Sequence, residues 1–137
     1  MKIKGMIICV CAIALSLLST MVASAQTKKV NVAFKPGTSS GTYSNTLTGY
    51  GTVDFYVKAK GGQTMSIKLS STNTFLYFNV ANGTGDGEAI ADNAREVTEW
   101  SGQLPADGTY VIRVYLVRAE ARRNKRPVSF KVQLEIN

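Results

Sequence analysis

The chain has 137 residues, a net charge of +7 and 45% hydrophobic residues, which is the size and composition of one globular domain. It contains no histidine, and its two cysteines, Cys9 and Cys11, lie together near the N-terminus. These features exclude hydrolysis by a Ser-His-Asp triad, catalysis by a Cys-His pair, and metal sites built from histidine or from several cysteines.

The first 25 residues have the three parts of a secretory signal peptide. Lys2 and Lys4 form the basic region, residues 6–18 form an apolar region, and residues 23–25 (Ala-Ser-Ala) fit the cleavage site. The apolar region is shorter than the ~20 residues of a membrane span, so we expect cleavage and no membrane anchor; an uncleaved anchor is the alternative. Loss of Lys2 and Lys4 lowers the 16 basic residues to 14 against nine acidic ones. The mature chain, residues 26–137, then carries a net charge of +5 and no thiol.

Alternation of apolar and polar residues dominates the mature chain, and no long stretch has a helical period. The alternation predicts short strands at residues 30–34, 53–57, 65–69, 76–80, 110–116 and 128–136. Gly-Gly at 61–62 predicts a hairpin between the second and third of these strands, and Asp-Gly at 107–108 predicts a tight turn that places Tyr110 in a core strand. Six or seven such strands indicate an all-β protein, a single antiparallel β-sandwich of jelly-roll-like type. The predicted core includes Phe55, Ile67, Ile112, Val114 and Phe130.

Five acidic residues crowd into one segment: Asp86, Glu88, Asp92, Glu96 and Glu99. Their spacing does not match a calcium-binding loop, which needs acids at positions 1, 3 and 5 and a glutamate at position 12. A carboxylate pair for glycoside hydrolysis would need a fixed separation across a cleft, and nothing in the pattern predicts a cleft. We therefore interpret the segment as a solvated loop and expect no metal, no cofactor and no enzyme activity.

The aromatic residues have two interpretations each. Trp100 either packs in the core or forms an exposed platform for a sugar; the core is favoured because a lone tryptophan is usually mostly buried. Tyr43 and Tyr50 lie in an irregular segment, residues 37–51, that is rich in Gly, Ser and Thr. Tyrosine in such a context is typical of a recognition surface, and the alternative is that both residues simply cover strand ends.

The most distinctive segment is residues 118–127, Arg-Ala-Glu-Ala-Arg-Arg-Asn-Lys-Arg-Pro, which joins the last two predicted strands as an expected hairpin tip. Arg118 and Arg122 share one face whether the segment continues the strand or turns helical, where they are i,i+4 neighbours. Paired guanidinium groups suit carboxylates, phosphates and sugar hydroxyls, whereas a solvated basic tip is the alternative. Nucleic acid is not the expected partner, because the chain carries an export signal and no aromatic residue interleaves the arginines.

Three stretches of the mature chain resemble the periplasmic inhibitors of goose-type (g-type) lysozyme from Gram-negative bacteria. Residues 31–50 read Asn-Val-x-Phe-x-x-Gly-x-Ser-Ser-x-x-Tyr-Ser and end in Gly-Tyr; residues 104–114 read Leu-Pro-Ala-x-Gly-x-Tyr-x-x-Arg-Val. The third stretch, residues 118–125, has the family's Arg-x-acid-Ala-Arg-basic-Asn-Lys pattern. Residues 72–99 do not align, so the resemblance gives the acidic loop no role.

The resemblance implies a non-enzymatic periplasmic β-sandwich that binds the lysozyme and inserts projecting loops into its sugar-binding cleft. By motif position, the family's contact tyrosine falls on Tyr50 and its two contact arginines fall on Arg118 and Arg122. Ser39 and Tyr43, in the first motif, are further candidate contacts. The alternatives are an exported carbohydrate- or peptidoglycan-binding module on a similar sandwich and a structural protein of the cell envelope.

Overall fold

A computed structural model describes residues 26–83 and 88–137. The predicted signal peptide, residues 1–25, and Asp86 lie outside the described residues. The described part of the chain forms eight strands, one short helix (α1) and a 3₁₀ turn at Asp92–Ala94. In chain order these are β1 (Thr27–Asn31), β2 (Ser40–Leu47), β3 (Thr52–Ala59), β4 (Thr64–Ser71), β5 (Leu76–Asn82), β6 (Glu99–Gln103), β7 (Gly108–Leu116), α1 (Arg118–Arg123) and β8 (Val128–Ile136).

The strands form two four-stranded sheets packed face to face. Sheet I has the order β1-β3-β7-β5, and sheet II has the order β2-β8-β4-β6. Neighbouring strands are antiparallel except β1 and β3, which run parallel from the Thr27–Thr52 pair to the Asn31–Tyr56 pair. The predicted β-sandwich is therefore confirmed.

The core lies between the sheets because each strand turns every second side chain inward. In β8 the buried residues alternate without exception with exposed ones from Val128 to Ile136. The five residues that the alternation placed in the core, Phe55, Ile67, Ile112, Val114 and Phe130, are all at most 3% exposed.

The predicted turn before β7 is also confirmed. Tyr110 is 1% exposed, and its hydroxyl donates to the carbonyl oxygen of Ala106 at 2.5 Å. This bond ties the start of β7 back onto the preceding turn, as the tyrosine corner does in other sandwiches.

Two predicted hairpins are wrong, because each pair of strands lies in different sheets. β3 belongs to sheet I and β4 to sheet II, so the turn with Gly61 and Gly62 crosses the sandwich. The amide groups of these glycines bond to Asp107 and Leu104 of the β6–β7 turn. Likewise β7 and β8 lie in different sheets, and residues 118–123 between them form α1 rather than a hairpin tip. Burial of every second residue is the same in a hairpin and in a crossing, so the pattern alone does not distinguish them.

Two strands, β2 and β6, were not predicted, because their residues show little alternation of apolar and polar side chains. β2 occupies much of the segment interpreted as irregular, because its Ser, Gly and Thr residues show little apolar alternation. β6 carries Trp100, which faces the core at 7% exposure and donates from its indole nitrogen to the side-chain oxygen of Asn93 at 3.2 Å. The core interpretation of Trp100 is therefore confirmed.

Three connections that cross between the sheets meet at one end of the sandwich, which we call the helix end. They are the β2–β3 turn (residues 48–51), the β4–β5 loop (residues 72–75) and the β7–β8 connection (residues 117–127) that contains α1. The register places them together, since Leu47 and Ser71 pair with the first residues of β8 and Leu116 pairs with the first residue of β5.

Candidate functional site

The helix α1 displays arginines on its outer face. Its inward face is formed by Glu120 and Ala121, both buried, and Arg118 and Arg122 lie one turn apart on the exposed side. Of the two conformations left open by the sequence, the helix is the one observed. Among residues 26–83 and 88–137, neither Arg118 nor Arg122 has a side-chain hydrogen bond or ion pair, so both guanidinium groups are available to a partner.

A buried carboxylate holds α1 in place. Glu120 is 6% exposed, and its oxygens accept hydrogen bonds from Arg123 at 2.7 Å and from the side-chain amides of Asn73 and Asn124, both at 3.2 Å. The bonds from Arg123, followed by those from the two amides, hold the pKa of Glu120 below its usual value despite its burial. Because Asn73 belongs to the β4–β5 loop, this network fastens α1 to a second element of the helix end.

The β2–β3 turn approaches α1 and presents Tyr50. Gly49 adopts a φ of +56°, a left-handed conformation that glycine tolerates better than other residues, and it faces the carbonyl oxygen of Ala121. The turn closes with a bond from the amide of Gly51 to the carbonyl of Thr48 at 2.9 Å. The next side chain, Tyr50, is 50% exposed. The turn thus places an exposed aromatic ring beside α1 and Arg118.

Tyr50 and Arg118 line one shallow pocket of about 390 Å³ on the outer face of sheet I. Its floor includes Arg113 and Tyr115 of β7, with Asn79 and Glu96 on one side. Arg113 donates two bonds of 2.8 Å to Asp54, which is 1% exposed. Burial, followed by the negative charge of Glu96, raises the pKa of Tyr115 to about 12, so its hydroxyl stays protonated. The pocket offers hydroxyl, guanidinium and amide groups, which suit carboxylates and saccharide hydroxyls.

The pocket also contains residues that the sequence analysis did not name as site candidates. Alternation in β7 placed Ile112 and Val114 inward, so it already implied that Arg113 and Tyr115 face outward together. Alternation in β5, where Leu76, Phe78 and Val80 face inward, implied the same outward orientation for Asn79. Glu96 had no such signal, because it reaches the pocket from the loop before β6, where its amide donates to the side-chain oxygen of Asn79 at 2.8 Å.

Two other candidate residues lie elsewhere. Ser39 sits at the opposite end of the sandwich, where its hydroxyl donates to the side chain of Asn137 at 3.2 Å. Tyr43, in the middle of β2, is half-buried and packs on Phe55 with ring centroids 6.1 Å apart. The structure therefore brings Tyr50 together with Arg118 and, one turn along α1, Arg122, but it places Ser39 and Tyr43 outside this group.

Other kinds of site find little support in the described residues. Within residues 26–83 and 88–137, no three Asp, Glu, His or Cys side chains are grouped as metal ligands. Glu88, Asp92 and Glu96 of the acidic segment are spread along the connection from β5 to β6, and Glu99 is the first residue of β6. The same part of the chain has no helix with the length and apolar character of a membrane span.

Known proteins resemble this chain along most of its length, although no family model matches it. An inhibitor of g-type lysozyme from Escherichia coli (strain K12) is 35% identical over 131 residues, which is 91% of this chain and 93% of the relative. Two solved structures are periplasmic inhibitors of g-type lysozyme that share the fold.

The first structure, PliG from Aeromonas hydrophila, is 35% identical, with a TM-score of 0.72 over 82% of this chain and 99% of that one. PliG from Salmonella Typhimurium is 29% identical, with a TM-score of 0.63 over 80% of this chain and 98% of that one. The resemblance inferred from three sequence stretches is confirmed across the whole sandwich: the chain belongs to the family of non-enzymatic inhibitors of g-type lysozyme.

Proposed function

We propose that this protein acts in the periplasm as an inhibitor of g-type lysozyme and blocks the enzyme by placing its helix end in the saccharide-binding cleft. The observation that carries the proposal is the placement of the exposed ring of Tyr50 beside Arg118, with Arg122 one turn further along α1. Among the described residues, neither arginine has an ion pair. Arginine and tyrosine are, with tryptophan, the residue types most enriched among the strongest contacts of protein interfaces.

The chemistry of the two surfaces is complementary. Lysozymes cleave glycosidic bonds with an acidic side chain in a cleft lined by groups that hydrogen-bond to sugars. The guanidinium groups of Arg118 and Arg122 pair with such a carboxylate and with neighbouring carbonyl oxygens. The ring of Tyr50 occupies a sugar subsite, where its apolar faces and its hydroxyl replace those of a saccharide. Ser39 and Tyr43 stay predictions, since neither belongs to this group of side chains.

The fixed position of α1 favours tight binding. Glu120 and its three side-chain partners hold the helix before the lysozyme arrives, so little conformational entropy is lost when the complex forms. The contribution of each arginine then depends on desolvation in the cleft rather than on folding of the loop.

An activity assay with the mature protein tests the proposal. We expect it to inhibit g-type lysozyme and to act much more weakly on chicken-type and invertebrate-type enzymes. Unchanged hydrolysis by the g-type enzyme at a large molar excess of the protein would contradict the proposal.

A carbohydrate-binding module is the second candidate, and one observation favours it. The outer face of sheet II forms an open groove of about 680 Å³ lined by polar side chains such as Thr42, Lys68 and Gln133. Trp100 also borders this groove, but only its backbone faces it. Its ring packs into the core and is not available to a sugar. Sedimentation with insoluble peptidoglycan separates the candidates: an inhibitor stays in the supernatant, and a wall-binding module pellets with the polymer.

A further inference from the structure

The helix end exposes a second aromatic residue close to α1. Within residues 26–83 and 88–137, the exposed large hydrophobic side chains are Tyr50, at 50%, and Phe75, at 43%. Tyr50 reaches α1 from the β2–β3 turn, and Phe75 reaches it from the β4–β5 loop. Both rings therefore lie close to the arginine-bearing helix.

Phe75 is held rigidly although its ring is exposed. Its amide donates to the side-chain oxygen of Asn73 at 2.9 Å, and its carbonyl accepts from the amide of Val117 at 3.0 Å. The guanidinium of Arg123 lies 5.6 Å from the ring centroid, and Arg123 is itself bonded to Glu120. The guanidinium therefore lies over one face of the ring, while 43% of the residue remains exposed to solvent.

The fold does not require this ring. Phe75 is outside the hydrophobic core, whereas the next residue, Leu76, is 1% exposed and supplies the core contact of this part of the chain. A rigid exposed aromatic side chain loses little entropy on binding and adds apolar contact area, which is the profile of an interface anchor.

We propose that Phe75 is a further contact residue for g-type lysozyme, and that it packs on an apolar surface at the rim of the cleft while Arg118 and Arg122 enter the cleft. The proposal rests on the proposed function, because it takes the same partner for the same end of the sandwich. It extends the proposed interface from Tyr50 and the two arginines to the β4–β5 loop. Arg123 has a different task from Arg118 and Arg122, since it orients the ring of Phe75 rather than reaching the enzyme.

The test compares single alanine variants in inhibition of g-type lysozyme. Phe75→Ala is expected to raise the inhibition constant about tenfold with little change in the unfolding midpoint. The matched control is Phe34→Ala, which removes a half-buried ring from the connection between β1 and β2, far from α1. The control is expected to inhibit like the unchanged protein at temperatures where it is folded.

The outcomes separate this proposal from the function on which it rests. If Tyr50→Ala weakens inhibition and Phe75→Ala stays within twofold of the unchanged protein, Phe75 is not a contact and the proposed function stands. If the unchanged protein does not inhibit the enzyme, both proposals fall.

A crosslinking experiment covers the case in which Phe75→Ala does not fold. The photoreactive analogue p-benzoylphenylalanine is placed at position 75 or, as the control, at position 34, and each protein is irradiated with g-type lysozyme. An adduct with the lysozyme from position 75 alone supports the proposal. Absence of that adduct, or adducts only between copies of this chain, overturns it.

Discussion

At the scale of single residues, the arginines of one short segment divide into different tasks. Arg123 is bonded to Glu120 and stacks near Phe75, so its positive charge is already used within the fold. Arg118 and Arg122 have no such partners among the described residues. Sequence alone shows five basic side chains in a row of ten, and only the helix register assigns them to separate tasks.

This division leads to a first prediction for Arg118→Ala and Arg122→Ala. Each variant is expected to weaken inhibition more than about tenfold, because an arginine at the centre of a desolvated contact often contributes ~2 kcal/mol or more. The unfolding midpoint is expected to change little, since neither side chain supports the fold. Inhibition constants and thermal unfolding of the same preparations check both parts.

Arg126→Ala is the charge-matched control, because it removes the same charge from the end of the connection near Pro127. Arg126→Ala is expected to weaken inhibition much less than Arg118→Ala or Arg122→Ala. Equal weakening by all three changes, together with loss of inhibition at high salt, would mean that the cluster acts only through diffuse charge.

At the scale of the structural element, α1 depends on the carboxylate beneath it. A six-residue helix is too short to be stable alone, and α1 has no side-chain cap at its N-terminus. The bonds that Asn73, Arg123 and Asn124 donate to the carboxylate of Glu120 replace that missing local stability. The arrangement of Arg118 and Arg122 is thus a consequence of a buried acid between them.

The lowered pKa of Glu120 gives a pH prediction with a definite sign. The folded state holds this carboxyl ionised more strongly than the unfolded chain, so its stabilising contribution is fully present above about pH 4.5 and is lost as the pH falls through the lowered folded value. Glu120→Gln is expected to lower the unfolding midpoint at neutral pH. In acid, where Glu120 is itself protonated, the midpoints of the variant and of the unchanged protein are expected to converge. Thermal unfolding of both proteins from pH 3 to pH 7 measures this convergence; a constant difference across the range contradicts it.

At the scale of the whole molecule, stability comes from the core between the sheets, because residues 26–137 contain no cysteine that could form a disulfide. Ile112 is fully buried at the centre of β7, which pairs with both β3 and β5. Ile112→Ala is expected to reduce the free energy of unfolding by about 2–5 kcal/mol. Denaturant unfolding gives this value directly, and a loss below about 0.5 kcal/mol would place the side chain outside the core.

The boundary of the mature protein is a prediction from the sequence. Cleavage after residue 25 makes Gln26 the first residue, directly before β1, whose pairing with β3 starts at Thr27. Intact-mass measurement on protein from the periplasm of the native host is expected to give the mass of residues 26–137. Retention of Met1 would contradict the predicted leader.

The sequence predicted the sandwich and its core because period-two burial is a local property of each strand. It failed at the connections: the Gly61-Gly62 turn and the segment after Leu116 cross between sheets, and pairing between distant strands leaves no local trace. The candidate site was partly predictable, since Arg118 and Arg122 share a face in a strand and in a helix alike. Phe75 was not, because its position beside α1 depends on how the β4–β5 loop meets the β7–β8 connection.

The net positive charge of the protein affects how it can bind a lysozyme. Residues 26–137, the predicted mature chain, carry a net charge of +5 and gain no long-range attraction toward a basic lysozyme. Under the proposed function, the affinity comes from short-range pairing of Arg118, Arg122 and Tyr50 with groups inside the cleft.

Competition with a saccharide tests occupation of the cleft most directly. Binding of the mature protein to g-type lysozyme is titrated by calorimetry without and with an oligosaccharide of N-acetylglucosamine that fills the cleft. We expect the apparent Kd to rise linearly with the saccharide concentration, because the helix end and the sugar exclude each other. An apparent Kd that stays constant at saturating saccharide would show that the protein binds the enzyme elsewhere and would contradict insertion of the helix end into the cleft.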